Sequence, residues 1–402
     1  MKNYDFVIVG AGIVGLTIAR ALAERHLGSI LILEKESELG RHASGRNSGV
    51  LHTGIYYGTD TLKAKVCAEG ARLLREYAAK HRISFFKNGK VIVATEPNAV
   101  GTIDELYHRG LANGARVEKI TPAELHELEP EAHTYGAALF SPDTSVIDTH
   151  GVLAALKNEI ESFGVDLKKN SPLLGIDGHS QIAKIKNEQF GYRHLINAAG
   201  LHADRIAHWM GVGERYHILP FKGIYRKLTP SAAQRFRGSI YPTPDLTMPF
   251  LGVHLTKTIH DEVLVGPTAI PALGRENYKL FDDLNVHDLP IIVSDLFVMV
   301  MKNQDGIRKL IKEETTKFLG SGLLKRVQKL APSIKQEDIL PQEAEVGIRA
   351  QLVDRSTKKL MMDFVLEEGK HSTHVLNAIS PAFTASFAFA EIVVNQILTR
   401  KN

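Results

Sequence analysis

Cysteine is nearly absent. Cys67 is the single one among 402 residues, so an intrachain disulfide and a redox dithiol are excluded, and no Cys/His spacing resembles a zinc site. The expected setting is reducing, the cytoplasm. An excess of one charge is missing too: 49 Lys and Arg stand against 45 Asp and Glu, a net +4, and the basic residues are spread along the chain, which leaves no footprint for nucleic acid. Long apolar runs are scarce. Phe6 to Ala19 is shorter than the roughly 20 residues of a membrane span, and Leu289 to Met301 is interrupted by Pro290 and Asp295. Lys2 ahead of that first run, with Ala21-Leu22-Ala23 behind it, imitates a signal peptide. Asp5 breaks the positive flank, however, and the glycines in the run have a spacing with a better explanation. With 44% hydrophobic and 7% aromatic residues the composition is that of a globular protein, not a disordered one, and the length suggests two or three units.

What is present is an alternation of short apolar runs and helical periods. Tyr4 to Val9 is β-branched and aromatic, Gly10-Ala11-Gly12-Ile13-Val14-Gly15 follows, and an Ala- and Leu-rich stretch to Arg25 has a helical period. Ser29 to Leu33 is a continuous apolar run, as in a parallel strand buried on both faces, and ends at Glu34. Together these predict one βαβ unit. Helices are predicted over residues 62–82, 104–113, 122–128 and 151–163, the last N-capped by Asp148. Strands are predicted over 85–95, 165–168 and 194–198. Residues 218–267 read as strands with Pro-marked turns, and 286–330 as mostly helical with a basic amphipathic stretch from Arg308 to Arg326. The end reads as strands at 359–364 and 374–378, then a helix over 384–398.

A lone G-x-G-x-x-G is weak evidence; its position here makes it specific. Gly10 to Gly15 follows a strand and opens a helix, and Glu34 ends the next strand 19 positions after Gly15. Gly10 permits the turn, Gly12 lets backbone amides approach a pyrophosphate at the positive helix end, and Gly15 allows close helix–strand packing. Glu34 suits ribose hydroxyls and repels a 2′-phosphate. FAD fits better than NAD. A two-nucleotide flavoprotein needs a second glycine loop and a Cys pair, and a simple NAD dehydrogenase keeps its dinucleotide fold in one block. Here αβ segments recur near 148–200 and 359–398, and the Gly-, Ser-, His- and Asn-rich loop from Gly40 to Gly58 suits a flavin's diphosphate and ring. The fold class is therefore α/β: an FAD-binding Rossmann-like domain of discontinuous segments (1–84, 146–215 and 336–402) with an inserted strand-rich α+β substrate domain (85–145 and 216–335).

The glycine loop, Glu34-Lys35 and above all Ala43-Ser44-Gly45-Arg46-Asn47-Ser48-Gly49-Val50-Leu51-His52-Thr53-Gly54-Ile55-Tyr56-Tyr57 resemble the FAD-dependent oxidoreductases of the D-amino-acid oxidase superfamily. Within it the chain resembles the L-2-hydroxyglutarate dehydrogenase/oxidase family. Leu62-Lys63-Ala64-Lys65, Asn197-Ala198-Ala199-Gly200-Leu201, Pro249-Phe250-Leu251-Gly252-Val253-His254, Gly347-Ile348-Arg349-Ala350-Gln351 and Ser380-Pro381-Ala382 extend the likeness over nearly the whole chain. Phe221-Lys222-Gly223-Ile224-Tyr225 departs from the family pattern, which has Arg after the Phe and Glu after the Gly, and Phe383 replaces a small residue. Both departures bear on the substrate pocket. The resemblance implies hydride transfer from C2 of L-2-hydroxyglutarate to flavin N5, giving 2-oxoglutarate. The alternative on the same fold is an amine or amino-acid oxidase, such as a glycine or sarcosine oxidase, or a glycerol-3-phosphate dehydrogenase. A flavin-binding protein without turnover is a third reading.

Such an oxidation needs a base that is neutral near pH 7. His52, which the resemblance puts beside the isoalloxazine, and His254 are the candidates, against the plain alternative of a hydrogen-bonded structural ring among 18 histidines. Arg349 is expected to meet the C1 carboxylate with its planar fork, against an inter-domain salt bridge. Lys222 is expected on the distal carboxylate, and Tyr57 or Tyr225 to supply a hydroxyl. FAD contacts are expected from Gly10, Gly12, Ile13, Gly15, Glu34, Lys35, Ser44, Arg46, Asn47, Ser48, Gly49, Ala199, Gly200, Pro381, Ala382 and Thr384. Arg46 would lie over the pyrophosphate or ribityl chain. The helix start at 381–385, capped by Ser380 or Thr384, would face the negative charge near flavin N1. No metal is expected. Oxygen or a membrane quinone is the expected electron acceptor, and the apolar and basic region 290–326 is a candidate for peripheral contact with the inner face of the cell membrane.

Overall fold

The computed structural model describes residues 1–245, 250–279, 282, 285–286, 288–318 and 322–399. The elements that position the site run, in chain order, β1 (Lys2–Val9), α1 (Ile13–Glu24), β2 (Ile30–Leu33), α2 (Leu62–Lys80), β3 (Lys90–Val93), α3 (Thr149–Ser162), β4 (Asp166–Lys168), β5 (Gln189–Asn197), β6 (Tyr216–Lys227), β7 (Ser239–Pro242), β8 (His254–Lys257), β9 (Val263–Gly266), α4 (Asp288–Lys302), α5 (Ile307–Phe318), β10 (Glu345–Asp354), β11 (Ser372–Val375) and α6 (Ala382–Thr399). Shorter strands and helices lie between them.

The stretch from Tyr4 to Leu33 folds as its periodicity dictates. β1 pairs in parallel with β2 and β5, β2 with β4, and β5 with β11. The register brings Val9 opposite both Leu33 and Asn197, and Asn197 opposite His374. These residues form the carboxyl edge, where a parallel sheet opens a crevice for a ligand. Gly10 turns the chain there at φ +100°, a conformation that costs glycine little. A Cβ on Gly15 would lie 2.0 Å from the Gly10 carbonyl oxygen, so only glycine lets α1 sit this close to β1. α6 packs against α1 and α2. It is long and apolar enough to cross a membrane, but Ala385, Phe389, Val393, Val394 and Ile397 are buried in the same core as α1.

The second sheet carries the other half of the site. β6 is 12 residues long and bends: Tyr216 to Tyr225 pair with β10, and Arg226 and Lys227 with β9. The order continues β9-β8-β7-β3. Alternation along these strands sends Val91, Val93, Ile240, Leu255 and Val265 into one core on the outer face, which leaves the opposite residues for the inner face.

Three expectations are corrected. The domain boundary at 336 assigns Glu345–Asp354 to the cofactor domain, but β10 pairs with β6 along its full length and belongs to the second sheet. Residues 359–364 do not form a strand: Leu360 makes only an isolated bridge to Val353. The Met361 carbonyl accepts from the Gln351 and Asn377 amides at 2.7 and 2.8 Å, and the Asp363 carbonyl from Asn377 at 2.5 Å, so side chains take the carbonyls a ladder would use. Pro290 does not interrupt Leu289–Met301, because it stands in the first turn of α4, where its missing N–H has no intrahelical partner to lose. Pro249, in one of the motif blocks, lies outside the described residues.

Candidate active site

A cavity of about 620 Å³ runs from the carboxyl edge of the parallel sheet to the inner face of the second sheet. At its first end Gly12 and Ile13 open α1, whose first turn holds no acidic side chain. Ser44 Oγ accepts from the Ile13 N–H at 3.0 Å and would lie 3.0 Å from a Cβ on Gly12. This is a tight, positively polarised cradle with Gly10, Gly12 and Ile13 on the cavity wall. The Glu34 carboxylate accepts from the amides of Ala11 and Glu36 at 2.8 and 2.9 Å. It is thereby fixed at the rim with lone pairs left for ribose hydroxyls.

A strap from the second sheet closes this end. Buried Arg275 forks onto Asp204 at 2.6 and 2.9 Å and reaches Asp288 at 3.2 Å, which anchors the strap to the chain after β5 and to α4. Next to it Glu276 meets His202 at 2.8 Å and Lys35 at 2.7 Å; despite burial, those partners pull its carboxyl down to about 2. The Tyr278 hydroxyl lies 2.8 Å from His42 Nδ1, and Arg46 stacks over the Tyr278 ring at 4.3 Å. Glu36, His42 and Glu276 cluster closely enough to share an ion, but Lys35 bonds both carboxylates.

Arg46 also donates to the Arg41 carbonyl at 2.7 Å. Asn47 ties its loop together, donating to the carbonyls of Ala43 and Ser44 and accepting from the Gly49 N–H at 2.9 Å. Lys35, Arg46, Asn47, Ser48, Ala199, Gly200, Pro381, Ala382 and Thr384 all line the cavity. Gly15 and Gly49 do not: Gly15 serves helix packing, and Gly49 turns the loop at φ +68°. The cradle, the fixed carboxylate and the elongated cavity fit an FAD, with Gly10, Gly12, Ile13 and Glu34 toward its adenosine half and Pro381 to Thr384 toward its ring.

The far end is built by register. Ile240 opposite Leu255 puts Tyr241 beside His254, His254 faces Gly266, and Tyr225 adjoins Gly266 from β6. Tyr241 stacks on His254 with ring centroids 4.1 Å apart, and Tyr225 meets that ring edge-on at 6.3 Å. Arg349, opposite Phe221 on β10, lies over the Phe250 ring at 4.7 Å. It makes no salt bridge to a carboxylate among the described residues, so the expected alternative of an inter-domain salt bridge does not form. His52 comes from the opposite wall: its N–H donates to Thr384 Oγ1 at 3.2 Å, Thr384 donates to the Val50 carbonyl at 3.2 Å, and the Cys67 thiol donates to the His52 carbonyl at 3.4 Å. Thr384 therefore positions His52, and the Ser380 hydroxyl lies beside the Tyr57 hydroxyl.

His52, His254, Arg349 and Tyr225 thus converge on one cavity. Burial, reinforced by nearby Lys90, pushes His52 down to about 3, and burial does the same to His254, so both rings are neutral at ordinary pH. His254 Nδ1 lies 2.8 Å from the Gly252 carbonyl. A carbonyl only accepts, so Nδ1 carries the proton and Nε2 keeps its lone pair. His52 Nδ1 is buried with no partner among the described residues. Burial lowers Arg349 as well.

Two of the residues expected to meet the substrate also fall outside the cavity wall. Lys222 points to the other face of β6, its ammonium donating to Asn277 at 3.2 Å, because Phe221, Gly223 and Tyr225 take the cavity side of an extended strand. Tyr57 stands behind Ser380. The sequence reading missed Tyr241, Phe250 and two buried lysines, Lys63 and Lys90. For Lys90 a signal existed: a cation heading the apolar run Val91-Ile92-Val93.

Comparison with known proteins matches this architecture. The family described as FAD dependent oxidoreductase matches residues 5–396, and the chain belongs to that family. It is 37% identical to the mitochondrial L-2-hydroxyglutarate dehydrogenase of Homo sapiens, covering 99% of this chain and 89% of that protein. It is 35% identical to the L-2-hydroxyglutarate dehydrogenase of Escherichia coli (strain K12), covering 98% and 93%. Among solved structures, L-alpha-glycerophosphate oxidase from Mycoplasma pneumoniae with FAD bound superposes with a TM-score of 0.77 at 22% identity, over 98% of this chain and 94% of that one. Glycine oxidase from Geobacillus kaustophilus gives 0.72 at 18% identity, over 98% and 94%. At these identities the two structures speak for the fold alone.

Proposed function

We propose that the protein oxidises L-2-hydroxyglutarate to 2-oxoglutarate with FAD. The observation that carries the reading is the convergence, at one end of a dinucleotide-shaped cavity, of two neutral imidazoles and a guanidinium that has no carboxylate partner among the described residues. Relatives matched over nearly their whole length carry the name of that activity. Bound FAD would accept the C2 hydride at N5. His254 takes the hydroxyl proton on Nε2, its ring held by the Gly252 carbonyl and by Tyr241. Arg349 holds the C1 carboxylate, which orients C2, and the Phe250 and Phe221 rings keep water from the guanidinium. His52, whose buried Nδ1 has no partner among the described residues, meets the substrate or the flavin edge.

Replacing Arg349 tests this. Charged hydrogen bonds contribute about 1.5–3 kcal/mol each, so Arg349→Met should lower kcat/KM for the acid by roughly 10²–10³-fold, mostly through KM, with FAD content unchanged. An unchanged KM would remove Arg349 from the substrate site.

The electron acceptor belongs to the same proposal: a membrane quinone, reached by docking through α4. Ile291, Val293, Phe297 and Met301 are 50–65% exposed along it, with Lys302 at its end and Lys312 on α5, both exposed. An apolar stripe edged by lysines suits an anionic bilayer. Phe297→Glu combined with Met301→Glu should release the protein from vesicles containing phosphatidylglycerol while leaving FAD reduction by substrate intact. Equal sedimentation of variant and wild type with the vesicles would sink the docking idea and favour oxygen.

A further inference from the structure

We infer that Lys63 and Lys90 complete, with Arg349, a buried cation set that selects a doubly charged acid, and that Lys90 also acts as a positioning residue for His254 through Tyr241. The inference rests on the reading of the cavity as a site of 2-hydroxy acid oxidation.

Lys90 is 1% exposed and Lys63 5%. A buried ammonium is costly unless an anion or a polarisable surface faces it. Lys90 forms no salt bridge among the described residues; its ammonium lies over the rings of Tyr56 and Tyr241 at 4.8 and 5.1 Å. In the sheet β7 lies between β3 and β8, so Tyr241 has Lys90 and Ile92 on one side and His254 on the other. The cation, the phenol ring and the imidazole therefore form a stack that ends at the cavity. The ammonium bears on the Tyr241 ring, which in turn stacks on His254.

Lys63 approaches from α2. Its ammonium lies 5.9 Å from the Tyr57 ring and 5.7 Å from the Phe364 ring, and it is close enough to Arg349 for the two cations to repel. Asp363 is the carboxylate near it, and both Asp363 oxygens accept backbone N–H groups, from Leu62 at 2.6 Å and Lys63 at 3.0 Å. The carboxylate that faces Lys63 is thus already engaged, while Arg349 adds a second cation beside it. A substrate with one carboxylate balances Arg349; a second negative charge balances the field of the two lysines. Lys222, expected from the sequence to meet the distal carboxylate, is outside the cavity wall, and so are Lys63 and Lys90; the two lysines act on the second charge through their field, Lys90 from behind the Tyr241 ring.

The test uses the FAD-loaded enzyme and equilibrium binding, read from the flavin absorbance change, of glutarate and butyrate. Both lack the C2 hydroxyl, and they differ by one carboxylate. The unmutated enzyme should bind glutarate at least 100-fold more tightly. Lys90→Met and Lys63→Met should each lower that ratio tenfold or more with FAD content unchanged, and Lys90→Arg should restore most of it. A second measurement needs no variant. Burial holds Lys90 at about 8 and, with Arg349, Lys63 at about 7, so the ratio should fall as pH rises from 6 to 9. The groups facing the two lysines stay in one form over that range: Cys67 is pushed up to about 12, Tyr56, Tyr57 and Tyr241 are raised, and His52 and His254 are already neutral. A ratio that survives both Met variants, or that stays flat from pH 6 to 9, would overturn the inference alone. An unmutated enzyme that binds butyrate as tightly as glutarate would overturn it together with the proposed substrate.

Discussion

His254 shows how a single residue becomes chemically specific. The backbone carbonyl of Gly252 fixes its tautomer, Tyr241 fixes its plane, and burial keeps it uncharged. His254→Asn keeps a polar group of similar reach but no titratable nitrogen. It should slow anaerobic flavin reduction by roughly 10²–10⁴-fold, measured by stopped flow, with little change in glutarate binding. Reduction within a few-fold of wild type would move the base to His52. At this scale the sequence was legible where chemistry and backbone constraint coincide: Gly10, Gly12, Glu34, His52, His254 and Arg349 all reach the cavity wall. It was not legible where phase decides. Lys222 and Tyr225 are three apart on one extended strand and cannot share a face, and that periodicity, applied to β6, would have excluded one of them.

Among elements, the close approach of α2 and α6 sets the flavin end of the cavity. A Cβ on Gly70 would meet Ala385 Cα at 2.6 Å and the Thr384 carbonyl oxygen at 2.7 Å, backbone that cannot step aside. Gly70→Ala should therefore push the start of α6 outward and cost about 1–3 kcal/mol, lowering the denaturation midpoint and weakening FAD retention on dilution. Unchanged retention would show that α6 does not frame the ring. The βαβ unit was legible because its pairing is local and its strands are buried on both faces. β10 was not: nothing in a ten-residue strand says which sheet it joins when its partner lies more than 100 residues back, and the boundary at 336 failed for that reason. Residues 359–364 looked like a strand because they are apolar, but Gln351 and Asn377 claim their carbonyls.

For the whole molecule, buried neutral histidines couple stability to pH. His52 and His254 are held at about 3 and His374 at about 4, all chiefly by burial, below the ordinary value of 6.5. The unfolded chain therefore binds protons that the folded one refuses as pH falls below 6.5, and stability is lost from there toward pH 4. Each ring contributes on the order of 1 kcal/mol per pH unit in that window. Thermal melts between pH 7.5 and 4.5 should show a falling midpoint, steepest below 6; a midpoint level down to pH 4.5 would mean that these rings are protonated in the folded state.

What this cavity oxidises is read most directly by an anaerobic absorbance titration of the FAD-loaded protein. L-2-hydroxyglutarate should bleach the flavin bands and yield 2-oxoglutarate in equal amount, while its D-enantiomer, L-lactate, glycine, sarcosine and glycerol 3-phosphate leave them unchanged. Bleaching by glycine, sarcosine or glycerol 3-phosphate, with the L-dicarboxylate inert, would contradict the account while leaving the fold and the cofactor site standing.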